Sequence, residues 1–303
     1  MKILSLILKI AAVLLALLVL TLAVILVPPH MQIRKVTPPI PQAEQLQALG
    51  SVSDGPVSIR YINTSTQALG TGHLGHTVFL IEWADGRVFM IDAGMDRLHA
   101  EEFAALLKKI GRGGDVDIHG VLPDLLGGAT QRVMGAGFTH LHIDHAQGIV
   151  PFCVVRGPGA TLYQTEFQRD LHNFNTKEAA ALVAGSCLAA GSLSGEGVQT
   201  VDGFPGLGVI AAGGHTPGST IYVVVVQGHF WVLAGDTTNS KADLLSNTGK
   251  GFVYSTFLVP ENTGRLKKLR LWLSELDARE DMTVIISHDI DDIQSGNMME
   301  FSR

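Results

Sequence analysis

Cysteine is nearly missing from this chain, with only Cys153 and Cys187 in 303 residues. That excludes a disulfide-framework scaffold and a zinc module built on cysteine clusters. The two could pair in an oxidising compartment or stand as free thiols, because sequence does not contain their separation. Lys and Arg never form a dense run, and the net charge is −6, which argues against a nucleic-acid partner. Charged residues make up only 17%, against 46% hydrophobic, which is ample for one large globular domain or two small ones. Glycine is plentiful at 34 residues and suits many tight turns between short strands.

Charge is also missing from the stretch that follows a basic start. Lys2 and Lys9 lead into Ile10–Val27, which carries no charge and a single hydroxyl, Thr21. Counted from Ile3, the apolar stretch passes the roughly 20 residues that span hydrocarbon, with Lys9 near enough to the end to snorkel. A cleavable signal has an apolar core of about 7–15 residues and a small-x-small site. Here the core is longer and ends in Leu26-Val27-Pro28-Pro29 with no such site. Residues 1–27 are therefore expected to be an uncleaved anchor that meets the membrane through residues 3–27. Arg34 and Lys35 beyond the span partly balance Lys2 and Lys9. An anchor at this position places the globular part outside the cytoplasm, which in a Gram-negative cell is the periplasm. Residues 28–50 read as a linker, since Pro28, Pro29, Pro38, Pro39 and Pro41 favour extended chain and oppose regular helix. Such a linker is a semi-rigid stalk, with a weak helix signal over Gln42–Leu49. Residues 51–303 form the remaining domain.

That domain alternates short strands with helices. Strands are expected at Val57–Ile62, Thr77–Glu82, Arg87–Ile91, Ile149–Val155, Ala160–Tyr163, Val198–Val201, Gly208–Ala212, Thr220–Val226, His229–Leu233 and Thr283–Ile286. Ala84-Asp85-Gly86 reads as the turn of a hairpin. Helices are expected over Leu98–Ile110, with Phe103, Leu106, Leu107 and Ile110 as its apolar stripe, and over Glu261–Ala278, with Leu266, Leu269, Leu273 and Leu276. A helical region follows Tyr163, clearest over Thr176–Leu188, and a further helix is weakly signalled over Leu122–Met134 across Gly127-Gly128. Both halves run strands first and helices after. The class is α/β (α+β), two mixed sheets packed face to face with helices outside.

Chemistry concentrates in Thr139-His140-Leu141-His142-Ile143-Asp144-His145. In extended chain, residues two apart share a side, so His140 and His142 can grip one metal ion, with Asp144 following. A turn there would bring Asp144 and His145 to a second ion. Imidazole and carboxylate are the donors that zinc and neighbouring transition metals take. Asp92, His215, Asp236 and His288 share one context, each following an apolar strand run and opening a turn. Ligands at strand ends borrow rigidity from the sheet beneath them. The other histidines of the domain, His73, His76, His99, His119, His172 and His229, read as structural or surface residues.

In this order Asp92, the 140–145 cluster, His215, Asp236 and His288 resemble the motifs of the metallo-β-lactamase superfamily, over about residue 52 to the end. The resemblance implies a four-layer αββα sandwich with metals at one edge. It implies that His140, His142 and His215 bind one ion, that Asp144, His145 and His288 bind the second, that Asp236 bridges them, and that Asp92 orients a ligand from behind. It implies zinc, two per chain, with iron or manganese as substitutes. Two such ions hold a hydroxide that attacks a carbonyl or phosphoryl centre of a small-molecule substrate, and Asp144 or Asp236 passes a proton to the leaving group. The layout is similar to lactonase-like members, although Asn239 stands where those often carry Tyr. A metallo-hydrolase of esters or lactones is the expected activity. The alternatives on the same fold are a phosphodiesterase and a mononuclear-iron sulfur dioxygenase, and outside enzymes a binding protein that keeps the fold. Oligomeric state leaves no trace in the sequence.

Overall fold

The computed structural model describes all residues except Met1, Thr71, Ile110, Arg112, Asn297 and Arg303, and for Lys2 its backbone alone. Two sheets form the centre of the domain. The first is built from β1 (Ser58–Leu69), β2 (Gly72–Glu82), β3 (Val88–Ile91), β4 (Gly113–Ile118), β5 (Val133–Gly137), β6 (Thr161–Leu162) and β7 (Ala189–Ala190). The second is built from β8 (Leu193–Ser194), β9 (Gln199–Val201), β10 (Leu207–Ala211), β11 (Thr220–Val226), β12 (His229–Leu233) and β13 (Met282–Ile285). The final strand, β14 (Met299–Glu300), returns to the first sheet, whose order is β14-β1-β2-β3-β5-β6-β7 with β4 also on β1. The second sheet runs β13-β12-β11-β10-β9-β8.

Alternation along the strands makes the layers. Ile59, Tyr61, Phe79, Ile81, Phe89 and Ile91 from the first sheet meet Val209, Tyr222, Val224, Leu233 and Ile285 from the second. Their alternate neighbours point outward. Val78, Leu80 and Met90 are covered by Leu122, Leu126, Ile149, Phe152 and Val183 from helices on that face. Ile221, Val223 and Val232 are covered by Leu266, Leu269, Leu273 and Leu276 of the helix Thr263–Asp277. Full burial of a side chain such as Phe89 stabilises by roughly 1.5–3 kcal/mol. The result is the expected αββα sandwich.

Several elements differ from their expected form. Ile149–Arg156 is a helix, not a strand. A short apolar run buried in a core has no period that separates the two, and here Ile149 and Phe152, three apart, face inward. The expected helix over Leu122–Met134 is a short helix, Leu122–Leu126, a 3-10 turn, Gly127–Arg132, and then β5. In the helix Arg97–Lys109 the buried positions are Ala100 and Ala104, while Leu106 of the expected stripe is exposed. Ile110 of that stripe lies outside the described residues.

The N-terminal helix differs most. It runs Lys2–Lys35, straight through Pro28 and Pro29, where extended chain was expected. Each proline removes a helical N–H, a cost of about 3 kcal/mol or more in a helix interior. The continued helix docks on the domain instead of forming a stalk. Pro29, Ile33 and Val36 are buried, His30 Nε2 lies 3.1 Å from Thr256 O, and the Gln32 amide reaches His172 O at 3.4 Å. Burial of Ile33 and Val36 offsets part of the proline cost. Only residues 36–42 are extended, and Leu46 and Leu49 beyond them pack on the outer face of the second sheet.

Candidate metal centre

Adjacent strand ends deliver the polar residues to one edge of the sandwich. Ile91 pairs with Gly137, so β3 and β5 end side by side. Asp92 then takes φ 62°, a left-handed turn that Asp tolerates better than most side chains. That turn aims its carboxylate at the histidine cluster. Asp92 Oδ1 accepts from the Thr139 backbone N–H at 2.7 Å, and Oδ2 accepts from Thr139 Oγ1 at 2.8 Å and His145 Nδ1 at 2.9 Å. His142 is extended (φ −88°, ψ 159°) and starts a single helical turn, Ile143–Ala146. The chain therefore turns after His142, which carries Asp144 away from His142 and brings His145 back beside His140, their ring centres 3.9 Å apart.

The second sheet supplies the rest. His215 follows β10 through Gly213 and Gly214, both at positive φ and crowded by Val36 and Leu266, respectively. Asp236 follows β12, and His288 follows β13. All seven expected ligands converge. The donor atoms of His140, His142 and His215 lie within 4.8 Å of one another, as do those of His140, His145 and Asp236. Asp236 Oδ1 lies 3.2 Å from His288 Nε2 and 3.5 Å from His145 Nε2, and its Oδ2 lies 3.6 Å from His215 Nε2. Asp144 Oδ2 lies 3.3 Å from His288 Nε2.

These residues fit a metal by their spacing. His140 Nε2 and His142 Nδ1 stand 3.1 Å apart, His215 Nε2 and His142 Nδ1 3.3 Å, and His145 Nε2 and His288 Nε2 3.1 Å. Bonds of about 2.0–2.1 Å to a tetrahedral ion put neighbouring ligand nitrogens roughly 3.3 Å apart. Three of the rings are tied from behind, as metal-ligating histidines usually are. His145 Nδ1 donates to Asp92, His288 Nδ1 donates to Gly75 O at 2.8 Å, and His215 Nδ1 donates to Glu261 Oε1 at 2.6 Å.

Charge divides the histidines into two kinds. Burial, then the neighbouring His215, holds His142 down at about 3, and burial with His145 and His142 keeps His140 well below the ordinary value. Burial likewise lowers His215. Burial opposes the charged forms of His145 and His288 too, but carboxylates outweigh it. Asp92 and Asp144 raise His145 well above the ordinary value, and Asp236 and Asp144 raise His288 to about 9. For Asp144 and Asp236 burial favours the neutral acid, but His145 and His288 reverse that for Asp144, and His288 and Lys250 for Asp236, lowering both.

Several residues at the site carry no signal in the sequence that marks them. Glu261, read as the start of a helix, is buried behind His215 and accepts from Ser255 Oγ at 2.5 Å. Lys250 is buried with its Nζ 2.7 Å from Asp236 Oδ2. Its ammonium also lies 5.4 Å from the ring centre of Tyr254, whose hydroxyl burial pushes up. His76, read as structural, stands against His288 with ring centres 5.8 Å apart. The remaining histidines are occupied elsewhere: His73 with Asp291, His99 with Asp96, His119 with Thr66, His229 with Thr283, and His172 at the joint with the N-terminal helix.

Solved structures similar to this chain share its fold at low identity. One is an N-acyl homoserine lactone hydrolase with the product N-hexanoyl-L-homoserine at its catalytic metal centre (18% identity, 80% of this chain and 96% of that one, TM-score 0.56). Another is a probable metal-dependent hydrolase from Staphylococcus aureus (17% identity, 78% and 91%, TM-score 0.53). A third is AidC, a dizinc quorum-quenching lactonase in complex with a product (14% identity, 71% and 73%, TM-score 0.51). No curated protein matches the sequence. The family model described as "Metallo-beta-lactamase superfamily" matches residues 71–288, which include every converging residue. The chain belongs to the metallo-β-lactamase superfamily, and its site has the make-up of a metallo-hydrolase centre.

Proposed function

We propose that the protein is a membrane-anchored metallo-hydrolase that holds two divalent ions, with zinc the best match, and cleaves a small ester or lactone. The carrying observation is that His140, His142 and His215 form one donor group and Asp144, His145 and His288 gather on the other side of Asp236, which faces both. In this reading the first group would hold one ion and the second group the other, with Asp236 placed to serve both. Zinc suits a set of imidazoles and carboxylates without thiolate. When bound, the ions supply Lewis acidity and make a coordinated water acidic near neutral pH.

The chain's own residues do the remaining work. Asp92 and Glu261 hold the rings of His145 and His215 in one orientation. Lys250 fixes the Asp236 carboxylate and keeps it ionised. Asp144 or Asp236 carries the proton that leaves with the alcohol. Ester or lactone as substrate is supported by the lactone-hydrolase neighbours, whose sites handle acyl homoserine products. Asn239 stands where those relatives often carry Tyr, and a tyrosine, Tyr254, lies beside Lys250.

The placing outside the cytoplasm has two supports. Ile3–Lys35 is long and apolar enough to cross a membrane, and an 18-residue stretch within it has a mean hydropathy of 3.3 with none of that stretch buried. Cys153 and Cys187 are joined as a disulfide, which persists in oxidising compartments. Because Pro29, Ile33 and Val36 dock on the domain, the domain sits directly at the bilayer surface in this reading. The test is turnover by the zinc-loaded full chain on short-chain esters, N-acyl homoserine lactones and phosphodiesters. Ester or lactone cleavage that is lost to a chelator and restored by zinc is expected. Silence on all three by fully metallated protein would contradict the proposal.

A further inference from the structure

His76 stands outside the ligand set given above, yet it has the local construction of a ligand. It lies on β2 and is only 1% exposed. Its Nδ1 is hydrogen-bonded to Ser65 Oγ at 2.8 Å, while its Nε2 is buried without a hydrogen-bond partner. A buried ring nitrogen left unpaired is costly and needs a physical reason. The donor atoms of His76, Asp144 and His288 all lie within 4.8 Å of one another.

The tie behind the ring repeats the pattern of its neighbours. His145, His215 and His288 each have Nδ1 bound to an oxygen of the surrounding protein and Nε2 turned inward. His76 does the same with Ser65. The pairing of β1 with β2 is irregular between Asn63 and Thr66, and this shift carries Ser65 into position behind the ring. Phe103 packs edge-on at 5.1 Å and holds the ring from another side. The features of a fixed metal-ligating imidazole are present: a hydrogen bond behind the ring, a restrained ring, and an unshared nitrogen among candidate ligands.

We propose that His76 is a further ligand of the ion held by Asp144, His145 and His288, so that this end of the centre is richer in protein donors than the His140–His142–His215 end. The inference rests on the two-ion reading of the site. An ion enclosed by more side chains is bound more tightly and has fewer positions for substrate. Substrate then approaches through the ion at the other end.

The test is zinc titration of the metal-free full chain in detergent against a chromophoric chelator, for wild type, His76→Leu, His76→Gln and Ser65→Ala. Thermal unfolding of the metal-free forms reports folding. The expected result is two binding steps in wild type, one of them weakened about 10–100-fold in each folded His76 variant and the other unmoved. Ser65→Ala keeps the imidazole but removes the hydrogen bond that orients it, and it weakens the same step by a smaller factor. The visible spectrum of the cobalt-loaded protein changes in step with the affinity. Two binding steps and a cobalt spectrum identical to wild type in a folded His76 variant would overturn this inference alone. If neither His76 variant folds, Ser65→Ala decides it, and an unchanged titration there overturns it. A wild-type chain that takes fewer than two ions overturns the two-ion reading and this inference together.

Discussion

Asp92 combines an unfavourable backbone with a carboxylate that serves three hydrogen bonds, so its side chain has two separable jobs. At φ 62° an ordinary side chain costs roughly 1–2 kcal/mol, and Asn shares the tolerance of Asp. Asp92→Ala is therefore expected to be less stable than Asp92→Asn by about 1 kcal/mol or more in chemical denaturation, and equal midpoints would contradict this. Both variants lose the anion behind His145. Glu261→Gln removes the matching anion behind His215, and chelator competition is expected to show about 10–100-fold weaker binding of one ion, with the other unchanged. Titration separates the two ends as well. In the metal-free protein His288 is raised to about 9, so the stabilisation from its charged form is complete below the ordinary histidine value and is lost as pH rises through about 9. Metal must displace that proton. Binding at the Asp144–His145–His288 end is thus expected to tighten as pH rises from the ordinary histidine value toward about 9, with His145 acting in the same direction. Binding at the His140–His142–His215 end, where burial keeps the rings neutral, is expected to stay flat over the same range. Isothermal titration at several pH values checks both.

At the scale of elements, what the sequence shows depends on whether polarity and position agree. β11 and β12 are legible because their residues are apolar, β-branched or aromatic and end in glycine turns. β1 was expected to stop at Ile62 but runs to Leu69, because Asn63, Thr64, Ser65 and Gln67 are polar and buried. Their burial is balanced by hydrogen bonds such as Gln67 Nε2 to Gly114 O at 2.9 Å, which depend on residues far along the chain. The converging residues are legible because Asp92, His215, Asp236 and His288 each close an apolar strand run and His140–His145 stand as a cluster. Glu261, Lys250 and His76 are not, since each gains meaning only from a partner brought up by the fold. The helix Ile149–Arg156, misread as a strand, carries Cys153 and is tied to Cys187 across 34 residues. Replacing both cysteines by Ala is expected to cost about 2–4 kcal/mol in denaturant unfolding, and an unchanged midpoint would show the bridge to be idle.

The whole molecule joins a long apolar helix to an αββα sandwich with its polar residues gathered at one edge. The sandwich follows from two sheets that each bury one face against the other and one against helices. The joint does not follow from the sequence, because five prolines over residues 28–41 argue for an extended, semi-rigid stalk while the buried faces of Ile33 and Val36 lie beyond local patterning. If the N-terminal helix spans the bilayer, the full chain is expected to stay with membranes through alkaline carbonate extraction, and a chain lacking residues 1–27 is expected to be released. Retention of the shortened chain would contradict the anchor. The central claim is the two-ion hydrolytic site, and it is tested most directly by counting metal in the purified full chain while following oxygen during turnover of a short-chain lactone. Two divalent ions per chain, zinc foremost, with ring opening and no oxygen uptake, are expected. One iron per chain with oxygen consumed would contradict it.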